Sequence, residues 1–319
     1  MTVSVELLRA DITAFLVFKR ALGSPYQRGE KLLRAFERFV AEHAHRPGNH
    51  SLEHLIRAWL GRNASRKPVS IANECGVIRQ FCLFRRRRDR TEFVPSRSWT
   101  PQSTESEFLP NVLSETDVKT LLRLAADLNR PPFRAQLFRM LLLLLYCTGI
   151  RFGEALHLRM RDVDVDNAVL FITTSKGRAR WVPFHRSLAR EIEIYLLGRR
   201  RFARALPDDR FLVGLNGKHL PVGTASGTVR GLLRRAALKP PTGRVGPRPY
   251  DLRHTFAVHR LERWYRAGVD AQRRLPWLSA YMGHDDILGT ETYLTTSSEL
   301  LNVAATRMKR RLGQRRRWP

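Results

Sequence analysis

Six residues carry side chains suited to cutting a phosphodiester without a metal ion: Arg151, Lys176, Tyr250, Arg253, His284 and Tyr293. A phosphodiester resists cleavage because its oxygens repel nucleophiles and its leaving alkoxide is unstable. Metal-free cleavage needs cationic donors around phosphorus, a nucleophile, and a proton for the leaving oxygen. A guanidinium grips two phosphate oxygens in a fixed fork. An ammonium can release a proton, an imidazole can donate to an oxygen, and a phenol can attack.

Local sequence places these residues at element ends. Arg151 follows Thr148-Gly149-Ile150 and opens a short helix, with Glu154 three residues on. A helix start adds amide donors beside such an arginine. Lys176 sits in Ser175-Lys176-Gly177-Arg178, a turn between two strand-like runs. Arg253 lies in Tyr250-Asp251-Leu252-Arg253-His254, at the head of another helix. His284 follows Gly283, a natural residue just past a helix C-terminus. Tyr293 stands nine residues beyond His284.

The ordered set Arg–Lys–(Tyr)xxArg–His–Tyr resembles the signature of the tyrosine recombinases, the phage-integrase-like enzymes that cut and rejoin DNA. The resemblance is strong from about residue 113 to 301 and weaker before that. It implies that Arg151 and Arg253 are the two catalytic arginines and Lys176 the acid for the leaving 5′-oxygen, with Arg178 and Arg180 as fallback candidates. It implies that His284 donates to phosphate or nucleophile, that Tyr293 is the nucleophile forming a 3′-phosphotyrosyl bond, and that Glu154 is a structural acid. The bond energy is conserved through such an intermediate, so no cofactor and no metal are expected. The chain departs from the family where Tyr250 replaces the usual histidine. A phenol has a pKa of about 10 against about 6.5 for imidazole, so it is the poorer base. His254 does not replace it, because a one-residue shift turns a helical side chain by a quarter turn or more.

The resemblance further implies double-stranded DNA with paired half-sites as partner, a tetramer acting on DNA with a monomer when free, and sister recombinases. The stretch 281–301 looks like recombinases carried by transposons and insertion elements. Two readings compete. A type IB topoisomerase-like enzyme would relax supercoils without exchanging strands. A non-catalytic DNA-binding partner of another recombinase would bind without forming any covalent adduct.

Bulk composition points the same way. The chain has 319 residues, 43% of them hydrophobic, with a formal net charge of +28. It is long enough for two domains with sizeable cores. The charge calls for a polyanion, and nucleic acid is the first choice because neutralised phosphates release counterions. The three cysteines, Cys75, Cys82 and Cys147, form no CxxC pair, which fits a reducing cytoplasm, and the resemblance implies a bacterial, nucleoid-associated one. No signal peptide is expected. The longest apolar run, Met140 to Cys147, is far short of the roughly 20 residues of a membrane span.

Periodicity predicts a mainly α-helical protein with a small antiparallel sheet. Apolar spacing marks four amphipathic helices in residues 1–90, a helical DNA-binding domain of the core-binding kind by resemblance. Residues 91–112 lose periodicity and are rich in Pro, Ser and Thr, as a linker would be. Residues 113–319 form the expected catalytic domain. Ser114 and Asp117 mark its first helix, and Ala135 to Tyr146 is a buried one. The runs 168–173 and 179–184 form a hairpin. A last helix, 299–312, trails into Arg315-Arg316-Arg317. By family analogy it docks on a neighbouring subunit.

Arginines 85–88 (Arg85, Arg86, Arg87, Arg88), with Arg178 and Arg180, are the candidate DNA-backbone contacts. A solvated helix end is the bland alternative for the run of four. His43, His45, His50 and His54 bunch around Pro47-Gly48, but no cysteine joins them at ligand spacing, so they carry no metal prediction.

Overall fold

The computed structural model describes residues 4–44, 51–63, 65–100, 111–128, 131–173, 179–204, 206–284 and 288–291. The chain divides into two compact units, Met1–Glu107 and Phe108–Pro319. The division falls inside the stretch 91–112.

The first unit is all helical: α1 (Val5–Ala21), α2 (Gln27–His43), α3 (Leu52–Gly61) and α4 (Pro68–Arg85). Each start has a local cause. The Ser4 hydroxyl accepts the Leu7 N–H at 3.4 Å, and the Ser51 hydroxyl accepts the His54 N–H at 3.2 Å. Pro68 occupies the first turn of α4, where its missing N–H costs nothing. The apolar stripes meet in a core containing Ile12, Phe15, Leu33, Phe36, Ile56, Ile78 and Phe81. Phe15 meets Phe81 edge-on at 5.7 Å.

The second unit is built around one helix. Ser114 and Asp117 exchange side-chain-to-backbone bonds at 3.1 and 2.9 Å and open α5 (Glu115–Ala126). Then α6 (Pro132–Thr148) runs through the centre, buried on nearly every side from Leu137 to Leu145. A helix apolar all round must lie inside. It packs on α5, on α8 (Arg186–Arg199) and on α10 (Asp251–Arg266). The remaining helices are α7 (Phe152–His157), α9 (Val222–Arg235), α11 (Ala271–Met282) and the single turn α12 (Leu288–Glu291).

The sheet has three antiparallel strands in the order β1 (Val163–Asp164), β2 (Val169–Ile172), β3 (Arg180–Pro183). Two are the expected hairpin, with Leu170 opposite Val182 and Phe171 opposite Trp181. The two-residue β1 is too short to leave a periodic trace. Among the described residues no helix is long and apolar enough to cross a membrane.

Candidate active site

Two glycines set the frame. Gly149 ends α6 at φ 62° and Gly283 ends α11 at φ 69°, both left-handed. Each turns the chain sharply, and the residues that follow, Arg151 and His284, are candidates for chemistry. An added Cβ at Gly149 would lie 2.3 Å from the Phe256 ring. A side chain cannot be accommodated there, so α6 and α10 approach as closely as they do because the residue is glycine.

Three arginines then converge on the last turn of α11. Arg180 donates its Nε to the Tyr281 carbonyl at 2.8 Å. Arg253 donates Nη2 to the Met282 carbonyl at 2.6 Å. Arg151 donates Nη2 to the Gly283 carbonyl. Helix ends leave such carbonyls without intrahelical partners, and the C-terminus favours cations. Arg253 also donates Nη1 to the Gly149 carbonyl at 2.6 Å. It therefore ties the turn before Arg151 to the turn before His284. Its residue is fully buried.

Glu154 anchors the group from below, with its side chain 2% exposed. Its Oε2 accepts the Arg151 backbone N–H at 2.8 Å, and its Oε1 accepts Arg151 Nη1 at 2.9 Å. Arg180 closes the other side with Nη1 at 3.1 Å and Nη2 at 2.8 Å. Arg180, expected at the DNA backbone, has a side chain 9% exposed that points inward to Glu154. The signal was present. Arg180 lies two residues before buried Val182, and alternate strand residues share a face.

His284 Nδ1 lies 2.7 Å from the Thr290 hydroxyl, which holds the ring against α12. Tyr250 stands at the head of α10, 37% exposed, edge-on to the His254 ring at 4.9 Å. His254 itself is turned inward. Burial lowers its pKa to about 4, against the partial opposition of Asp251 at 4.0 Å. It is neutral at neutral pH. Buried Asp251 accepts the Arg248 N–H at 2.8 Å and so shapes the turn before Tyr250.

His254 makes stability depend on pH. The unfolded chain takes the proton near the ordinary value of 6.5, whereas the folded chain resists until about 4. Its contribution is complete above pH 6.5 and is lost as pH falls toward 4. The urea midpoint of the wild type is expected to drop across that window by more than that of His254→Gln. Equal drops would remove His254 as the cause.

Lys176, Arg178 and Tyr293 lie outside the described residues, as do the helix expected at 299–312 and the tail 315–317. The structure thus brings together Arg151, Arg253, His284 and Glu154, with Tyr250 at the head of the same helix as Arg253. Other tyrosines are occupied. Tyr281 donates its hydroxyl to the Pro183 carbonyl at 3.0 Å, and burial pushes its pKa up. Tyr265 packs against the core between α10 and α11.

In the first unit Arg85 is half-buried, whereas Arg86, Arg87 and Arg88 are exposed. Arg85 pairs with Asp11 at 2.9 Å and with Glu92 at 2.5 Å, and Arg88 pairs with Asp11 at 3.2 Å. Arg87 lies over the Phe18 ring at 5.0 Å, and Arg86 donates to the Arg90 carbonyl at 3.3 Å. The histidine cluster is partly visible. His43 stacks on Phe39 and His54 bonds Ser51, while His45 and His50 lie outside the described residues.

Comparisons with known proteins agree on one group. The phage integrase family matches residues 111–299. The chain is 34% identical to a Sinorhizobium fredii protein named integrase/recombinase y4rB, over 98% of this chain and 100% of that one. It is 26% identical to the tyrosine recombinase XerC of Corynebacterium efficiens, over 77% of this chain and 74% of that one. The Tn1549 transposon integrase, solved in complex with transposon right end DNA, shares the fold. Its TM-score is 0.65 over 94% of this chain and 98% of that one, at 16% identity. XerH site-specific recombinase, solved bound to a palindromic difH substrate, shares it at TM-score 0.66 over 87% and 78%, at 17% identity.

Proposed function

We propose a reaction course for this chain, which belongs to the phage integrase family, the tyrosine recombinases. The chain is a tyrosine-type site-specific recombinase. In the proposed course Tyr293 Oη attacks phosphorus, the P–O5′ bond breaks, and a 3′-phosphotyrosyl bond holds the cut strand. Lys176 protonates the departing 5′-oxygen, the phenol proton passes to water, and His284 donates to a phosphate oxygen. A free 5′-hydroxyl from a second strand reverses the chemistry and rejoins the DNA. Nothing is oxidised, and no nucleotide is consumed.

The observation that carries this course is the meeting of Arg151, Arg253 and His284 at the end of α11. Two guanidiniums and an imidazole, drawn from three separate segments, gather positive charge and donors at one helix end, with Arg151 the partly exposed cation and Arg253 the buried one. Donors already in place lower a phosphorane barrier because they need no rearrangement during reaction. Arg151, partly exposed on the Glu154 anchor, is the first to meet phosphate. Arg253 lies deeper and holds the two turns together.

The proposed partner is duplex DNA with two half-sites, bound by a pair of subunits, with strands exchanged in a tetramer, and with sister recombinases as further partners. The first unit is the proposed core-binding domain and the second the catalytic domain. The segment 299–312 is assigned to docking on a neighbour. The proposed setting is the bacterial nucleoid, in the cytoplasm.

Covalent trapping tests the course. A pool of nicked suicide half-sites with randomised arms is expected to yield a protease-sensitive adduct, with the DNA on the peptide containing Tyr293. Tight DNA binding with no adduct would overturn the course in favour of a non-catalytic binding partner. Relaxation of supercoiled DNA without strand exchange would favour the topoisomerase-like reading. Tyr250→His is expected to speed adduct formation by about tenfold near pH 7, because imidazole is the better base and donor there. An unchanged rate would place Tyr250 outside the chemistry.

A further inference from the structure

We propose that Arg180 is a positioning residue that keeps the Arg151 guanidinium electropositive toward phosphate; this rests on the reaction course above. Arg151 and Glu154 alone make a neutral pair. Glu154 is buried at 2% side-chain exposure, so its charge is poorly screened and draws strongly on Arg151. Arg180 occupies both Glu154 oxygens, at 3.1 and 2.8 Å. Two guanidiniums around one carboxylate leave one net positive charge, on a pair of cations of which Arg151, at 23%, is more exposed than Arg180, at 9%. The incoming phosphate meets that charge.

The same side chain fixes distance as well as charge. Its Nε holds the Tyr281 carbonyl at 2.8 Å, next along the chain to the carbonyls held by Arg253 and Arg151. Arg180 thus links β3, the Glu154 anchor and the turn that carries His284. A lysine could supply the charge but not the three directed bonds.

Single-turnover adduct formation on the nicked half-site pool, with DNA affinity and melting temperature measured in parallel, tests the assignment. Arg180→Gln is expected to slow adduct formation about 30-fold while DNA affinity stays within about threefold, since misplacement of an anion-binding group acts on the chemical step. Glu154→Gln/Arg180→Gln removes the acid along with its counter-ion and restores the single positive charge. It is expected to run about fivefold faster than Arg180→Gln. A purely structural role would make the double variant slower than either single one. Arg180→Lys is expected to run about fivefold below wild type.

Wild-type rates in Arg180→Gln, a double variant slower than Arg180→Gln, or a loss confined to DNA affinity would each overturn the proposal. If Arg180→Gln does not fold, Arg180→Lys decides, and a wild-type rate there overturns it. Absence of any adduct in the wild type would overturn the reaction course itself and this assignment with it. That failure is recognisable because it appears before any substitution.

Discussion

Tyr293→Phe is expected to lower covalent adduct formation by at least about 10⁴-fold while leaving DNA affinity and melting temperature unchanged. The substitution removes one oxygen and keeps the ring. The magnitude follows from the chemistry, because without the phenol there is no atom to form the phosphotyrosyl bond. Rescue by the other tyrosines of the same unit is blocked by their surroundings. Tyr195 is buried and Tyr281 half-buried, their hydroxyls bond the Phe211 and Pro183 carbonyls, and burial raises both pKa values. Tyr146 faces His259 at 3.0 Å, and burial raises its pKa too. Tyr250, at 37% exposure, is the tyrosine to inspect if adduct persists. Mass spectrometry of the residual adduct in Tyr293→Phe would identify it, and the double variant with Tyr250→Phe would lose it. Adduct at the wild-type level in Tyr293→Phe would sink the assignment of the nucleophile.

Gly283→Ala is expected to cost about 2 kcal/mol of stability and about 10²-fold in adduct rate. Two effects add. The residue sits at φ 69°, where an L side chain is strained by roughly 1–2 kcal/mol. Its Cβ would also lie 2.7 Å from Arg180 Nη1 and 2.8 Å from Cζ. The end of a free arginine would move aside. This one is fixed by Glu154 and by the Tyr281 carbonyl, so it can yield only by giving up a bond that holds the site. The rate should therefore fall further than the lost stability would explain. Urea unfolding and single-turnover trapping on the same preparation separate the two. A stable variant with full activity would show that the turn relaxes without disturbing the arginines, contrary to the geometry.

Much of this arrangement is legible in the linear sequence, for local reasons. Ser114 with Asp117 and Ser51 before α3 are capping patterns complete within four residues, and the structure forms them. Gly149 and Gly283 stand where helices must end in the left-handed region. The apolar run through Leu141 could only be an interior helix. The inward turn of Arg180 is signalled by its alternation with Val182 but masked by the residue between them. Trp181 and Val182 read together as an apolar stretch, yet Trp181 is 63% exposed, tilted against Phe171 across the hairpin at 4.3 Å. The face shared by Arg180 and Val182 becomes visible only when Trp181 is seen to be outside. The pairing of Arg85 with Asp11 was equally hidden. It joins residues 74 positions apart, and no local rule links an arginine run to an acid in the first helix. The burial of Arg253 depends on carbonyls 104 positions before it and 29 after it, and composition carries no trace of such bonds.

Those separations have a consequence for the chain as it is made. Arg151 finds the Gly283 carbonyl 132 positions further on, and the Gly149 carbonyl waits 104 positions for Arg253. A ribosome adds roughly 5–20 residues each second. Once Arg151 has been added, several seconds pass before the segment that completes its surroundings has even been synthesised. Throughout that interval the nascent protein carries a strongly basic first unit and no assembled anion site. It has no assembled means of cutting DNA, so the wiring of α11 delays strand cleavage until the chain has been made through Gly283.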